Sequence, residues 1–149
     1  MRTTLSVVVF DLDGTLSDTK NRQHHLNKSP KDWGTFFAEL VYDEPHWDIV
    51  AILHALYAAG HRIVLATGRD ETHRTNTIHW LRSHGIPFLK LYMRPTGDRR
   101  DDSVVKTEMI AAMNADGFHP WLAFDDRNRV VSAWREAGVR CLQVAPGDF

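Results

Sequence analysis

Apolar residues fall along this chain in short runs separated by longer amphipathic stretches, which predicts strands joined by helices. Leu5-Ser6-Val7-Val8-Val9 is rich in β-branched side chains and reads as a buried first strand. Arg62-Ile63-Val64-Leu65-Ala66, Phe88 to Met93, Trp121-Leu122-Ala123-Phe124 and Val139 to Val144 repeat that signature. Between the strands the period lengthens. Ile49, Ile52, Leu53 and Leu56 recur at helical spacing after Asp43-Glu44-Pro45 and stop at Gly60. Glu71 to His84 reads as a helix closed by Gly85. Val105, Met109, Ala112 and Met113 mark another, capped by Asp102 or Ser103, and Val130, Val131, Trp134 and Ala137 mark the last, ended by Gly138. Ser17 to His25 is polar without a period and reads as a loop. Ser29-Pro30 then looks like an N-cap and first turn for a short helix carrying Phe36, Phe37 and Leu40. Strands alternating with helices imply right-handed crossovers, so the expected fold is α/β, a doubly wound and mainly parallel sheet covered on both faces.

At 149 residues the chain is one domain's worth, expected to span 1–149 with a small helical insert at about 20–42. With 43% hydrophobic and 25% charged residues it has the composition of an ordinary globular protein. A formal net charge of −1 argues against a bulk nucleic-acid coat, while leaving local basic clusters open. Cys141 is the sole cysteine, so no internal disulfide can form, and a reducing, cytoplasmic location is the expectation. Its neighbours Val139, Leu142 and Val144 mark it as a core thiol. The lead-in Met1-Arg2-Thr3-Thr4 precedes an apolar run too brief for a signal peptide or a membrane span.

Polar groups recur just past the predicted strand ends. Asp11 and Asp13 follow the first strand, Thr67-Gly68-Arg69 the second, Arg94 the third and Asp125-Asp126 the fourth, with Lys106 early in a helix. Parallel strands place their carboxyl ends on one edge, where ligands of open α/β sheets collect. Two acids one residue apart at that edge can divide labour, Asp11 as nucleophile and metal ligand and Asp13, protonated, as proton shuttle. A plain turn with two solvated acids is the alternative reading of that stretch alone. Crowded carboxylates need neutralising, and an oxygen-lined site suits Mg²⁺. Its ligands would be Asp11, the backbone carbonyl of Asp13, and Asp125, with Asp126 a ligand or orienting a bound water. For Asp125-Asp126 the alternative is helix N-capping. Thr67 and Gly68 suit phosphate oxygens, and Lys106 offers charge for phosphoryl transfer. His24, His25, His54, His61, His73, His79, His84 and His119 show no metal-ligand spacing.

Asp11-Leu12-Asp13-Gly14-Thr15-Leu16, Thr67-Gly68-Arg69, Asp102-Ser103-Val104-Val105-Lys106 and Asp125-Asp126-Arg127 together resemble the four motifs of the haloacid dehalogenase (HAD) superfamily of aspartate-nucleophile phosphotransferases. With the ending Gln143-Val144-Ala145-Pro146-Gly147-Asp148-Phe149, essentially the whole chain is similar to the 3′-phosphatase domain of phage-type polynucleotide kinase/phosphatase. The resemblance implies an aspartyl-phosphate route and removal of 3′-phosphates from nucleic acid ends or nucleotides. It also implies importance for Arg22, Arg69, Arg94 and Asp102, which match family positions, the three arginines as contacts to terminal phosphates. No Gly-x-x-x-x-Gly-Lys-Ser/Thr loop occurs, so no kinase domain is expected within the sequence and a 5′-kinase would be a separate polypeptide. A separate kinase or ligase and a second copy of the chain are the partners considered, with no membrane. Two rivals stand beside this reading: a phosphatase of mononucleotides or other small phosphate esters, and a phosphoaccepting signalling module. Receivers of the latter kind lack an acid/base at the place of Asp13.

Overall fold

Alternation along the first strand decides how the layers form. In the computed structural model, which describes residues 4–149, β1 (Leu5–Phe10) sends Val7 and Val9 to one face and Val8 and Phe10 to the other. All four side chains are fully buried, as the centre of a parallel sheet requires. Each contributes on the order of 1.5–3 kcal/mol of burial free energy, so a charged residue at any of them would break a layer. The remaining elements are β2 (Ser17–Asp18), α1 (Trp33–Ala38), β3 (Glu44–Pro45), α2 (Trp47–Ala58), β4 (Arg62–Asp70), α3 (Arg74–Ser83), β5 (Lys90–Arg94), α4 (Asp102–Ala115), β6 (Phe118–Asp125), α5 (Asn128–Glu136) and β7 (Arg140–Gln143).

The five main strands run in the order β5-β4-β1-β6-β7, every neighbouring pair parallel. The Val7 face packs against α4 and α5 through Val105, Met109, Met113, Val130 and Trp134. The Val8 face packs against α2 and α3 through Val50, Leu53, Trp80 and Leu81. The fold is therefore the doubly wound α/β sheet expected. Its strand order reverses beside β1, and the crevice at that point opens at the carboxyl ends of β1 and β6. No helix among the described residues is long and apolar enough to cross a membrane. The reading of Met1-Arg2-Thr3 as a polar lead-in lies outside the described residues.

Several local expectations are corrected. The stretch read as a loop at Ser17 to His25 holds β2, paired antiparallel with β3, and a 3-10 helix over Lys20–Leu26. Its inward residues are Arg22 and His25, so an apolar period could not report it. Helix α1 starts at Trp33 rather than at Pro30, because Asp32 caps it by accepting from the Thr35 N–H at 3.1 Å. Asp43-Glu44-Pro45 does not open α2, since Glu44 and Pro45 are spent on pairing with β2. That helix buries Val50 and Leu53 and leaves Ile52 40% exposed. Helix α4 is capped by Asp101, which accepts from the Ser103 N–H at 2.9 Å. Ala112 and Ala137 lie exposed, and Ile110 and Ala133 take the buried positions near them. Thr67-Gly68-Arg69, expected as a loop, continues β4, with a shift of register against β5 between Thr67 and Asp70. The bulge keeps the backbone extended while re-aiming its side chains at the rim.

Candidate active site

Strand β1 delivers Asp11 to the switch point, where its N–H donates to the Phe124 carbonyl of β6 at 3.0 Å. A tight turn follows in which the Leu12 carbonyl accepts from the N–H groups of Thr15, Leu16 and Ser17. Leu12 and Leu16 are fully buried and anchor this turn against the core. Gly14 has φ +84°, and a Cβ there would lie 2.2 Å from Asp126 Oδ2, so the glycine lets the turn close onto the end of β6. Thr15 Oγ1 donates toward Asp11 Oδ2 at 3.4 Å and Asp126 Oδ1 at 3.5 Å.

Asp11, Asp125 and Asp126 each bring a carboxylate oxygen within 4.8 Å of the others. Lys106, on the first turns of α4 and 2% exposed, donates from Nζ to Asp11 Oδ1 and to Asp125 Oδ2, both at 3.0 Å. Asp125 is further held by the Asp126 N–H at 2.9 Å and the Trp134 indole at 3.4 Å. Burial and the neighbouring Asp125 push the Asp11 carboxyl well above its ordinary value, against the pull of Lys106. Burial and Asp125 likewise push Asp126 up to about 6. The flanking acids hold the Lys106 ammonium charged, their attraction overcoming the cost of its burial. With all three acids ionised, three carboxylates face one ammonium, and a divalent cation such as Mg²⁺ would both balance the excess and favour the ionised forms, so this oxygen-rich donor set fits one.

The Asp13 side chain stands apart from that group, as expected of a residue offering a cation only its backbone carbonyl. Its Oδ1 accepts from Arg22 Nη2 at 2.5 Å and Arg69 Nη2 at 2.6 Å, and Arg69 Nε reaches both carboxylate oxygens. Burial raises its pKa, but the two guanidinium groups outweigh burial and bring it down to about 2. The expectation of a protonated Asp13 is thus reversed in the free protein, where it is a carboxylate. Arg22 and Arg69 are 1% and 0% exposed. Arg22 also donates to Asp43, at 2.7 Å from Nη2, and to the Phe36 carbonyl, while Arg69 donates to Thr77 Oγ1. Their donors face inward, onto Asp13 and its surroundings, rather than outward toward a terminal phosphate as the resemblance implied.

Thr67 lies two residues past Leu65, the register partner of Phe10, and its Oγ1 accepts from the Arg69 N–H at 3.1 Å. A Cβ on Gly68 would sit 3.0 Å from Asp102 Oδ1, so the strand passes close to that acid. Arg94 donates from Nε to the Gly68 carbonyl at 2.9 Å and from Nη2 to Asp102, whose other oxygen accepts from Arg127. Arg94 and Asp102 therefore brace the end of β4. Sequence reading missed Asp43, which is 5% exposed and takes the Ser17 hydroxyl at 2.5 Å besides Arg22. No local pattern marks it. Gly147 enters the sequence reading only within the ending that carries the family resemblance; a Cβ there would lie 1.8 Å from the Asp126 carbonyl oxygen.

The comparisons match this architecture. The family model for the polynucleotide kinase PNKP phosphatase domain covers residues 5–149. A chain in the structure of a Pnkp1/Rnl/Hen1 complex is 29% identical with TM-score 0.84, over 98% of this chain and 48% of that one. A chain of the Pnkp1/Rnl/Hen1 RNA repair complex gives 29% identity and TM-score 0.85, over 98% and 44%. A protein of Autographa californica nuclear polyhedrosis virus, assigned as a bifunctional polynucleotide kinase/RNA ligase, is 26% identical over 89% of this chain and 18% of its own length. The chain thus spans about half of those structures and under a fifth of the viral protein. The class C acid phosphatase of Bacillus anthracis, 16% identical with TM-score 0.69 over 97% of this chain and 67% of that one, shares the fold. With 5–149 matched, the chain belongs to the PNKP phosphatase-domain family, a branch of the HAD-type phosphatases.

Proposed function

We propose that this chain is a Mg²⁺-dependent phosphomonoesterase that removes 3′-phosphates from polynucleotide ends by way of an aspartyl-phosphate. The observation that carries the reading is the buried contact of Lys106 with both Asp11 and Asp125, beside Asp126, at the switch point of the sheet. Asp11 attacks phosphorus in line, the P–O3′ bond breaks, and the departing oxygen takes a proton from Asp13. Asp13 takes that proton from solvent when the negative charge of the bound phosphate stands next to it and raises its pKa, and in later cycles it holds the proton received from the attacking water. In the second step a water attacks phosphorus and gives its proton to Asp13, and inorganic phosphate leaves a free Asp11 carboxylate. Lys106, Thr67 and the Gly68 N–H stabilise charge on the transferring group. Asp11, the Asp13 carbonyl, Asp125 and Asp126 would hold the cation, which when bound supplies positive charge at the phosphoryl oxygens. Arg22, Arg69 and Asp43 aim Asp13 at the leaving oxygen.

The polynucleotide assignment draws on the family and on the relatives, among them a kinase/RNA ligase and chains of an RNA repair complex. They also support a separate kinase or ligase acting on the same ends. Turnover of a 3′-phosphorylated oligonucleotide is to be compared with that of a 3′-nucleoside monophosphate, in Mg²⁺ and after chelation. Faster kcat/KM on the oligonucleotide and loss of both activities without metal are expected. Equal or greater efficiency on the mononucleotide would move the assignment to small phosphate esters. A stable phosphoprotein without multiple turnover would make the chain a signalling module.

A further inference from the structure

Half of the Trp33 surface, 49%, is exposed, although the residue opens a helix whose neighbour Phe36 is core. Its ring stacks on Phe37 at 5.9 Å with 22° between planes and meets the edge of Phe36 at 5.7 Å. Two contact paths run inward from there. Phe36 carries the Arg22 guanidinium 4.2 Å from its centroid, and Arg22 in turn grips Asp13. Phe37 packs 5.1 Å from His73, just beyond the carboxyl end of β4. Lys31 Nζ lies 5.8 Å from the centroid of the indole, and Lys28, five residues earlier in the chain, is exposed.

Among the other exposed aromatics, Phe149 packs against Arg127, which grips Asp102 rather than Asp13, and three more lie elsewhere. Trp121 packs on His61, at the amino end of β4, and Tyr57 ends α2 on that same side. Trp47 meets His84, beyond the end of α3. The contacts of Trp33 lead, through Phe36 and Arg22, to Asp13. A flat π surface backed by Phe36 and Phe37 and beside the Lys31 ammonium matches a nucleobase joined to phosphodiesters, since stacking recognises any base and an ammonium group recognises the backbone.

We propose that Trp33 is the stacking platform for a base upstream of the terminal 3′-phosphate, with Lys28 and Lys31 against the adjoining backbone. This rests on the polynucleotide reading above and adds the residue that makes the site prefer a polymer. The test is steady-state kinetics of wild type, Trp33→Ala and Trp33→Phe on a 3′-phosphorylated oligonucleotide and on a 3′-nucleoside monophosphate. Trp33→Ala raises KM for the oligonucleotide about tenfold with kcat held within about twofold, and the oligonucleotide-to-mononucleotide ratio of kcat/KM falls equally. Trp33→Phe restores most of both. A wild type that prefers the oligonucleotide and a Trp33→Ala variant that keeps the preference would overturn the platform alone. Equal losses on both substrates would assign Trp33 a structural role and overturn it too. A wild type without the preference would remove the polynucleotide reading and the platform with it.

Discussion

Asp13 meets two buried guanidinium groups with one partly exposed carboxylate, and this contact separates it from the acid cluster around Asp11. Arg69 is wholly buried, so Arg69→Ala leaves Asp13 without half of its compensation and Thr77 without a partner. Unfolding free energy should drop by about 3–5 kcal/mol in urea titration. Arg69→Lys should recover little, because an ammonium cannot span both Asp13 oxygens and Thr77. Full recovery by lysine would reduce the contact to a simple charge. The same carboxylate sets an acid-side signature. Its pKa is about 2 in the folded protein against an ordinary 3.8, so the ionised form stabilises the fold fully above about pH 4 and progressively less as pH falls through 2. The stability gap between wild type and Asp13→Asn should stay level from neutral pH down to about 4 and shrink below it. A gap that widens in acid would contradict the paired state.

The elements that place the site are held by backbone approach as much as by side chains. The C-terminal stretch passes so near the end of β6 that Gly147 has no room for a Cβ beside the Asp126 carbonyl, while the Asn128 N–H donates to the Gly147 carbonyl at 2.9 Å. Gln143 on β7 donates to that same Asp126 carbonyl at 2.9 Å. Gly147→Ala should displace Asp126, lower kcat at least tenfold and weaken Mg²⁺ binding, as read by kinetics against metal concentration. Wild-type metal dependence in that variant would detach the stretch from the site. Much of the element plan was legible beforehand. β-branched runs located β1 and β4, and the acids beyond Phe10 and Phe124 do gather at one rim of the sheet, because strand burial leaves a dense apolar trace in sequence. Asp43 left none. Its partner Arg22 lies 21 positions away, and a buried polar pair has no period to detect. For the same reason the segment at 17–26 read as a loop, and Asp13 as a protonated acid, since the burial of two arginines around it is a tertiary fact.

For the whole molecule, the crowded acids at the switch point repel one another once ionised, and a bound cation would relieve that repulsion. Mg²⁺ should therefore raise Tm, and chelation should reverse the rise. Burial and the neighbouring Asp125 push Asp126 up to about 6, so protonation below that pH would both withdraw a proposed ligand and relieve repulsion. The Mg²⁺-induced rise should be larger at about pH 7.5 than at about pH 5, and an equal rise at both would place the cation elsewhere. The central claim is that Asp11 takes the phosphoryl group. Its most direct measurement is acid quenching of a single turnover with a ³²P-labelled 3′-phosphate, followed by mapping of the protein-bound label. The account predicts transient label on Asp11, absent from Asp11→Asn. Label on another residue, or label held by the Asp11→Asn protein, would contradict it.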